Sequence, residues 1–384
     1  MPEQFDIRGG DEQAVARAVT RAAEAIANGD LVAVPDEAGY QLLASICNPD
    51  ATDRLLQATL PRDPLDPLDP LDPLDPLDPI VLGTDALSLL QLIEDPPGPG
   101  KLTLRLARRC WPAPVVLELN PQATAPDRWS PAFWERVTQR QRLGVRVPAH
   151  EVPRGLLDLA DSPLLARPLP VTDAGEVVVG CTESASVMLQ AGPSRYAGGD
   201  TRIRVDGQEW EITREGAVGA ATVARMACRV VVFVCTGNTC RSPMAEALFR
   251  KLAAQRLQCP DEELVDRGLL VGSAGVGTYG GSSISPEAAE SLRERGIESA
   301  SHVSQPLTAE LAVQADHLVA MTRGHRDSIL NTWPDAAARV RLLNPNGTDI
   351  DDPIGGSSDV YAACCREIET HLEALIDELF APGG

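Results

Sequence analysis

The sequence predicts an α/β protein of two domains, an N-terminal α/β twisted sheet and a C-terminal four-stranded parallel sheet with flanking helices. Three observations predict it. At 384 residues the chain is long enough for two cores. Short apolar runs alternate with helical patterns through both halves, as strands joined by crossover helices would. One such run, ending at Cys235, passes through five residues straight into a helical pattern.

From the N-terminus, residues 14–28 read as a helix and 31–35 as a strand, followed by strands at 114–119, 143–148, 175–180 and 201–205. Between 63 and 79 the triplet Asp-Pro-Leu repeats. Proline at every third position forbids a helix or a central strand and matches the turn of polyproline II, so a stiff, acidic, solvated loop is expected. A docking strip for a partner is the other reading of the repeat. The first domain is placed at 1–220, a linker at 221–228 and the second domain at 229–384.

The second domain opens with Val231-Val-Phe-Val-Cys235-Thr-Gly-Asn-Thr-Cys240-Arg241-Ser242-Pro243-Met-Ala-Glu246, read as strand, tight loop and helix, with Met244, Leu248 and Leu252 at four-residue spacing. A strand-to-helix loop turns successive N–H groups into one concavity and adds the positive end of the helix dipole, so an oxyanion is favoured there. Arg241 adds a planar fork that can hold two phosphoryl oxygens at once. Gly237 is expected to give the loop its backbone freedom, and Pro243 suits a first helical turn. Cys235, at the floor of this electropositive pocket, is expected as the thiolate, the nucleophilic form. Taken singly, Cys235 would be a buried strand-end thiol and Arg241 a surface charge. Together with Asn238, Ser242, Pro243 and the helix they fit one phosphate-cleaving site. Further strands follow at 268–273, 316–321 and 339–343, and 360–379 is a final amphipathic segment. Ligands of parallel sheets bind beyond the carboxyl ends of the strands, where Cys235 lies.

These residues resemble the low-molecular-weight protein tyrosine phosphatases, over residues 228–384. The resemblance implies that Cys235 attacks phosphorus while Arg241 and the loop of Thr236, Gly237, Asn238, Thr239, Cys240 and Ser242 hold the phosphoryl oxygens. It implies that Asp352, in Asp349-Ile-Asp-Asp-Pro-Ile-Gly-Gly356, protonates the leaving group and then activates the water that hydrolyses a cysteinyl-phosphate. Asp349 and Asp351 are the competing acids. Ser242 is expected to hydrogen-bond the thiolate, and Asn238, Ser273 and His302 to brace the loop. Mammalian-type members carry aromatics after Asp-Pro, where this chain has Ile354-Gly355-Gly356. The protein arginine phosphatase branch is similar at Thr239, at His302-Val-Ser-Gln-Pro-Leu-Thr308, and at Met321-Thr322 ahead of His325. Thr239 is the residue type that branch uses to favour phosphoarginine, whereas Ile354 departs from the aromatic usually found there, so phosphotyrosine and phosphoarginine both stay open. Arsenate reductases share the Cys-x5-Arg loop and are a minor alternative. They need further redox cysteines, and Cys364 and Cys365, adjacent on the last helix, point apart. Cys240 is either a partner for a reversible, protective disulfide with Cys235 or a spectator.

The N-terminal domain resembles the YrdC-like threonylcarbamoyl-AMP synthases, which condense threonine, bicarbonate and ATP for tRNA modification. The matching pieces, within residues 10–220, are 31–42, 107–114, Gly144-Val-Arg-Val-Pro148 and Ile212-Thr-Arg-Glu-Gly-Ala-Val218. Where that family has Pro-Thr-Glu-Thr-Val-Tyr-Gly-Leu, this chain reads Pro35-Asp-Glu-Ala-Gly-Tyr-Gln-Leu42 and loses two hydroxyls. The family's basic segment falls near Thr59-Leu-Pro-Arg62, its serine-alanine-asparagine contact near Leu165-Ala-Arg-Pro-Leu169, and the sole lysine of this half is Lys101. Nucleotide phosphates would enter unpaired, so a catalytically degenerate relative is expected. The alternative is a bifunctional protein with residual synthase activity, or an RNA- or nucleotide-binding role in tRNA modification. A third reading makes the whole chain a binding protein with a vestigial phosphatase.

A net charge of −21 argues against a general nucleic-acid or anionic-membrane binder. The expected partner is a phosphorylated protein substrate. Met1-Pro-Glu-Gln-Phe-Asp6 is acidic with no apolar run after it, no stretch approaches a membrane span, and the nine cysteines are scattered, so a cytoplasmic protein with reduced thiols is expected. There is no Cys-x2-Cys pair, and neither a metal nor another cofactor is expected.

Overall fold

The computed structural model describes residues 2–58, 79–93, 100–160, 162–172, 176–178, 180–196, 198–299 and 301–381. The chain divides into two compact units, 1–226 and 227–384. The Asp-Pro-Leu repeat, apart from Pro79, and the segment 59–62 lie outside the described residues.

In the first unit β1 (Glu3–Asp6), β2 (Val32–Asp36), β3 (Gly39–Ser45), β4 (Ile80–Leu82), β5 (Val115–Leu119), β6 (Leu143–Arg146), β7 (Leu164–Leu169), β8 (Val187–Gln190), β9 (Thr201–Asp206) and β10 (Glu209–Arg214) form one mixed sheet. Its order is β1-β8-β2-β3-β7-β4-β6-β5-β9-β10. Helix Glu12–Ala27 is capped by Asp11, whose carboxylate accepts the Ala14 N–H. Its face of Ala18, Val19, Ala22 and Ile26 packs with Val32, Val34 and Leu43 of the sheet. The strands expected at 31–35, 114–119, 143–148 and 201–205 are β2, β5, β6 and β9. The strand expected at 175–180 is corrected: its described residues make a single bridge, Val177 opposite Val171. Gly180 adopts a φ of 94°, which turns the chain out of extended pairing before β8. Pro168, unexpected in an inner strand, sits in β7 beyond Ala166, where pairing with β4 ends. The segment expected as a linker is helical, Ala220–Ala227, because Ala-Ala-Thr-Val-Ala-Arg-Met-Ala holds neither glycine nor proline and half of it is alanine.

In the second unit β11 (Arg229–Cys235), β12 (Leu269–Gly275), β13 (His317–Ala320) and β14 (Val340–Leu342) form an all-parallel sheet of order β12-β11-β13-β14. β11 alternates as a strand buried on both faces does. Val231, Phe233 and Cys235 pack with Met244, Leu248 and Phe249 of helix Arg241–Leu257 and Ile368 and Leu372 of helix Ser358–Leu379. Val230, Val232 and Val234 face the other way, toward Ala312 and Ile329 of helices Ala309–Gln314 and Arg323–Thr332. Each fully buried Phe, Val or Leu contributes about 1.5–3 kcal/mol, so two cores clamp the strand that ends in Cys235. β12 and β13 lie on opposite sides of β11, so the strand order reverses at Cys235, the kind of switch point beyond which sheets of this type have their ligand crevice. Among the described residues no helix is long and apolar enough to cross a membrane.

Candidate active site

The loop between β11 and helix Arg241–Leu257 takes its shape from Asn238. The left-handed backbone conformation falls on Asn238, at φ 57°, and not on Gly237, which corrects the expectation for that glycine. Asparagine tolerates this conformation better than most residues, and here its side chain is held on three sides. Nδ2 donates to Ser242 Oγ at 2.9 Å and Ser273 Oγ at 2.8 Å, and Oδ1 accepts the Gln305 N–H at 2.9 Å. The glycine the loop does require is Gly275, at the end of β12. A Cβ there would lie 2.5 Å from Thr236 O and 3.2 Å from Asn238 N.

Cys235 Sγ lies 3.0 Å from Ser242 Oγ and accepts the Asn238 N–H at 3.3 Å. Because Ser242 Oγ accepts from Asn238, its own hydrogen is available to the sulfur or to Ala274 O, 3.4 Å away. His302 Nε2 is 2.9 Å from Asn238 O. The structure thus brings Cys235, Asn238, Ser242, Ser273 and His302 into one hydrogen-bonded group. Thr236 is exposed at the loop's mouth, and Gly237 and Thr239 are half-buried. Cys240 and Cys235 are both free thiols, and Cys240 Sγ turns to Ser285 Oγ at 3.4 Å and Tyr361 OH at 3.5 Å. Cys364 and Cys365 are buried in the last helix, where burial pushes their thiols up to about 12 and about 11.

Arg241 opens the helix and is 5% exposed. Its Nη1 donates to Ile350 O at 3.0 Å, its Nη2 pairs with Asp352 Oδ2, and its Nε has no partner among the described residues. Asp352 reaches it from a turn after β14 and keeps its side chain 41% exposed. Asp349 is engaged elsewhere, accepting the Arg323 N–H at 2.7 Å, and that bond with the Arg323 side chain holds its carboxyl below the usual range. Of the competing acids, Asp352 is the one that meets Arg241.

Three residues at the site carried no assigned role in the sequence. Glu246 Oε2 accepts from Ser273 Oγ at 2.6 Å, and burial pushes its carboxyl up. Its signal was legible, since it stands four residues after Ser242 on the same helix face. Gln305 ties Asn238 to β12, its Nε2 donating to Ser273 O at 3.0 Å. His325 contacts Thr236. Both stand in the motifs similar to the arginine phosphatase branch, which marked their places without giving either a role. Among the described residues no cluster of three or more His, Cys, Asp or Glu is arranged to hold a metal ion.

In the first unit, the residues quoted for the synthase resemblance converge on Arg146, which is wholly buried in β6. Its Nη2 meets both Asp36 oxygens at 2.6 Å and Glu37 Oε1 at 3.0 Å, and its Nη1 pairs with Asp200. Gln41 donates to Asp36, and Glu37 accepts the N–H groups of Ala149 and His150 at 3.0 and 3.1 Å.

Residues 230–382 match the family described as low molecular weight phosphotyrosine protein phosphatase, and residues 79–216 match the Sua5/YciO/YrdC family described as telomere recombination. A protein-arginine-phosphatase of Geobacillus stearothermophilus is 42% identical over 153 residues, covering 39% of this chain and 95% of its own. A probable low molecular weight protein-tyrosine-phosphatase, EpsP, of Ralstonia solanacearum is 30% identical over 156 residues, covering 40% of this chain and 99% of its own. Among solved structures, a mutant YwlE arginine phosphatase with a phosphorylated active-site serine is 38% identical, covers 40% of this chain and 96% of its own, and has a TM-score of 0.36.

Proposed function

This chain belongs, through residues 230–382, to the low molecular weight phosphotyrosine protein phosphatase family, and we propose that it hydrolyses phosphorylated protein side chains, phosphoarginine first among them. The observation that carries the chemistry is that Cys235 meets Ser242 while Arg241, the residue before it, pairs with Asp352, so thiol, guanidinium and carboxylate border one loop at the end of β11. A phosphoryl group entering the loop displaces Asp352 from Arg241 and takes the guanidinium donors and loop amides in its place. Cys235 Sγ attacks phosphorus, the bond to the leaving atom breaks, and Asp352 supplies that atom's proton. Water then attacks the cysteinyl-phosphate, with Asp352 taking the water's proton, and inorganic phosphate and the thiolate are released. Preference for phosphoarginine is supported by the 42% identity to a protein-arginine-phosphatase and by Thr239 in the loop. Phosphate release from matched phosphoarginine and phosphotyrosine peptides tests both parts. Turnover by the wild type and none by Cys235→Ser is expected, with the arginine peptide preferred; a tyrosine preference would reverse the substrate reading alone.

For residues 1–226 we propose a catalytically inactive relative of the synthases. Asp36 stands where their motif has a threonine, and with Glu37 and Asp200 it engages both terminal nitrogens of Arg146. Incubation with ATP, threonine and bicarbonate should yield no threonylcarbamoyl-AMP; detectable product would restore the bifunctional reading.

A further inference from the structure

His325 is the third residue of helix Arg323–Thr332, which follows β13. Thr322 caps that helix, its hydroxyl accepting the His325 N–H at 3.2 Å. The buried ring lies between two threonine hydroxyls, with Nδ1 2.9 Å from Thr322 Oγ1 and Nε2 2.8 Å from Thr236 Oγ1. Thr236 is the first residue after Cys235. On the β12 side this corner is held by main chain, Val276 N–H donating to Cys235 O and Gly277 N–H to Thr236 O, both at 3.0 Å. On the β13 side the main-chain bond nearest the loop, Met321 N–H to Val234 O at 3.0 Å, stops one residue short of Cys235. The imidazole takes over from there. Thr236 sorts its branches accordingly, its methyl toward Gly277, where a Cβ would lie 3.2 Å away, and its hydroxyl toward His325.

The charged groups facing the ring are Arg241, Asp352 and Asp349, the last paired with Arg323 of the same helix. Burial, reinforced by Arg241, pushes the imidazole down to about 4, so it is neutral near pH 7, with one donor and one acceptor nitrogen. Either neutral tautomer satisfies both threonines: Thr322 Oγ1, having accepted the helix amide, still has a hydrogen and a lone pair for Nδ1, and Thr236 Oγ1 takes the complementary role at Nε2.

We propose that His325 is a positioning residue of this site, an imidazole that clamps Thr236, and with it the first turn of the phosphate loop, to the β13 side of the crevice. The proposal rests on the phosphatase reading above, and its test separates the two. In the full chain, kcat and KM for phosphate release are measured for His325→Asn, His325→Gln, Thr236→Val and the Asn/Val double variant, with thermal unfolding of each. Glutamine can return an amide nitrogen to the Nε2 position; asparagine reaches only toward Thr322. Loss of one such hydrogen bond should lower kcat about tenfold in His325→Asn and in Thr236→Val, with the double variant no worse than either and His325→Gln within about threefold of wild type. Wild-type activity in His325→Asn, equal losses in the Asn and Gln variants, or losses that multiply in the double variant would overturn it. The imidazole 15N shifts of wild type and Thr236→Val give a second readout that needs no turnover: the His325 Nε2 resonance should move, and an unmoved one refutes the clamp. A wild type that releases no phosphate would sink the phosphatase reading and leave the clamp to be decided by that resonance.

Discussion

Arg146 and Arg241 are both buried arginines held by carboxylates, one in each unit, and their surroundings divide a closed site from an open one. Arg146 is enclosed by Asp36, Glu37 and Asp200, each at most 5% exposed, so its charge is compensated without any ligand. Arg241 meets one carboxylate, and that carboxylate sits 41% exposed on a turn where an incoming anion can replace it. A desolvated charge must be matched, and what matches it decides whether the site has chemistry left to offer. The cluster around Arg146 also divides its acids. Burial drives Asp36 well above the usual carboxylate range, whereas Glu37, despite its own burial, is held down to about 2 by the Asp36 contact, Arg146 and the Ala149 N–H.

Breaking the closed site should cost stability and spare turnover. Arg146→Ala leaves buried carboxylates uncompensated and is expected to destabilise residues 1–226 by about 3–5 kcal/mol, read by denaturant unfolding, with kcat/KM for peptide dephosphorylation unchanged. The open site should show the reverse. Arg241→Lys keeps the charge but loses the bidentate fork, and kcat/KM should fall on the order of 10²–10³-fold, while the unfolding midpoint barely moves. Asp352→Asn removes the proposed proton donor and should lower kcat by about 10²-fold, most for peptides with the poorest leaving groups, which a series of graded phosphoesters would reveal. The smallest effect is expected at Asp36→Asn. A carboxyl whose folded pKa is raised stabilises fully below its unfolded pKa and loses that contribution as pH rises through the folded value. Asparagine removes the loss, so the variant should match or exceed wild-type stability by about 1 kcal/mol at pH 7 and lag toward pH 4. Glu37 runs the other way: depressed to about 2, its contribution is present above its unfolded pKa and lost as pH falls toward that value. A pH series of unfolding midpoints for wild type and Asp36→Asn separates the two, and a destabilised variant at pH 7 would mean that Asp36 is charged.

The phosphate loop was legible because its parts are covalent neighbours. Cys235 through Ser242 carry the proposed nucleophile, the loop and the arginine in eight consecutive residues, and backbone connectivity alone brings them together once a strand enters and a helix leaves. The alternation of β11 was equally local, since side-chain direction in a strand has period two. Local reading failed where conformation depends on distant support. Nothing in Gly237-Asn238 says which residue turns left-handed, because the choice is made by Ser273 and Gln305, 35 and 67 residues from Asn238. The apolar run near 175–180 has strand composition, yet sheet pairing passes to β8.

What the sequence by itself determined is therefore the α/β architecture, the strand–loop–helix corner and the thiol, hydroxyl and guanidinium groups gathered on it, all set by periodicity, glycine and proline placement and residue type within a few bonds. What only the tertiary structure decided is which distant groups meet: Asp352 on Arg241, 111 residues apart, His325 on Thr236, 89 apart, and Asp36 on Arg146, 110 apart. The physical reason is that a charge or hydroxyl carries no mark of its partner along the chain; it acquires one only when packing removes water and each buried donor must find an acceptor.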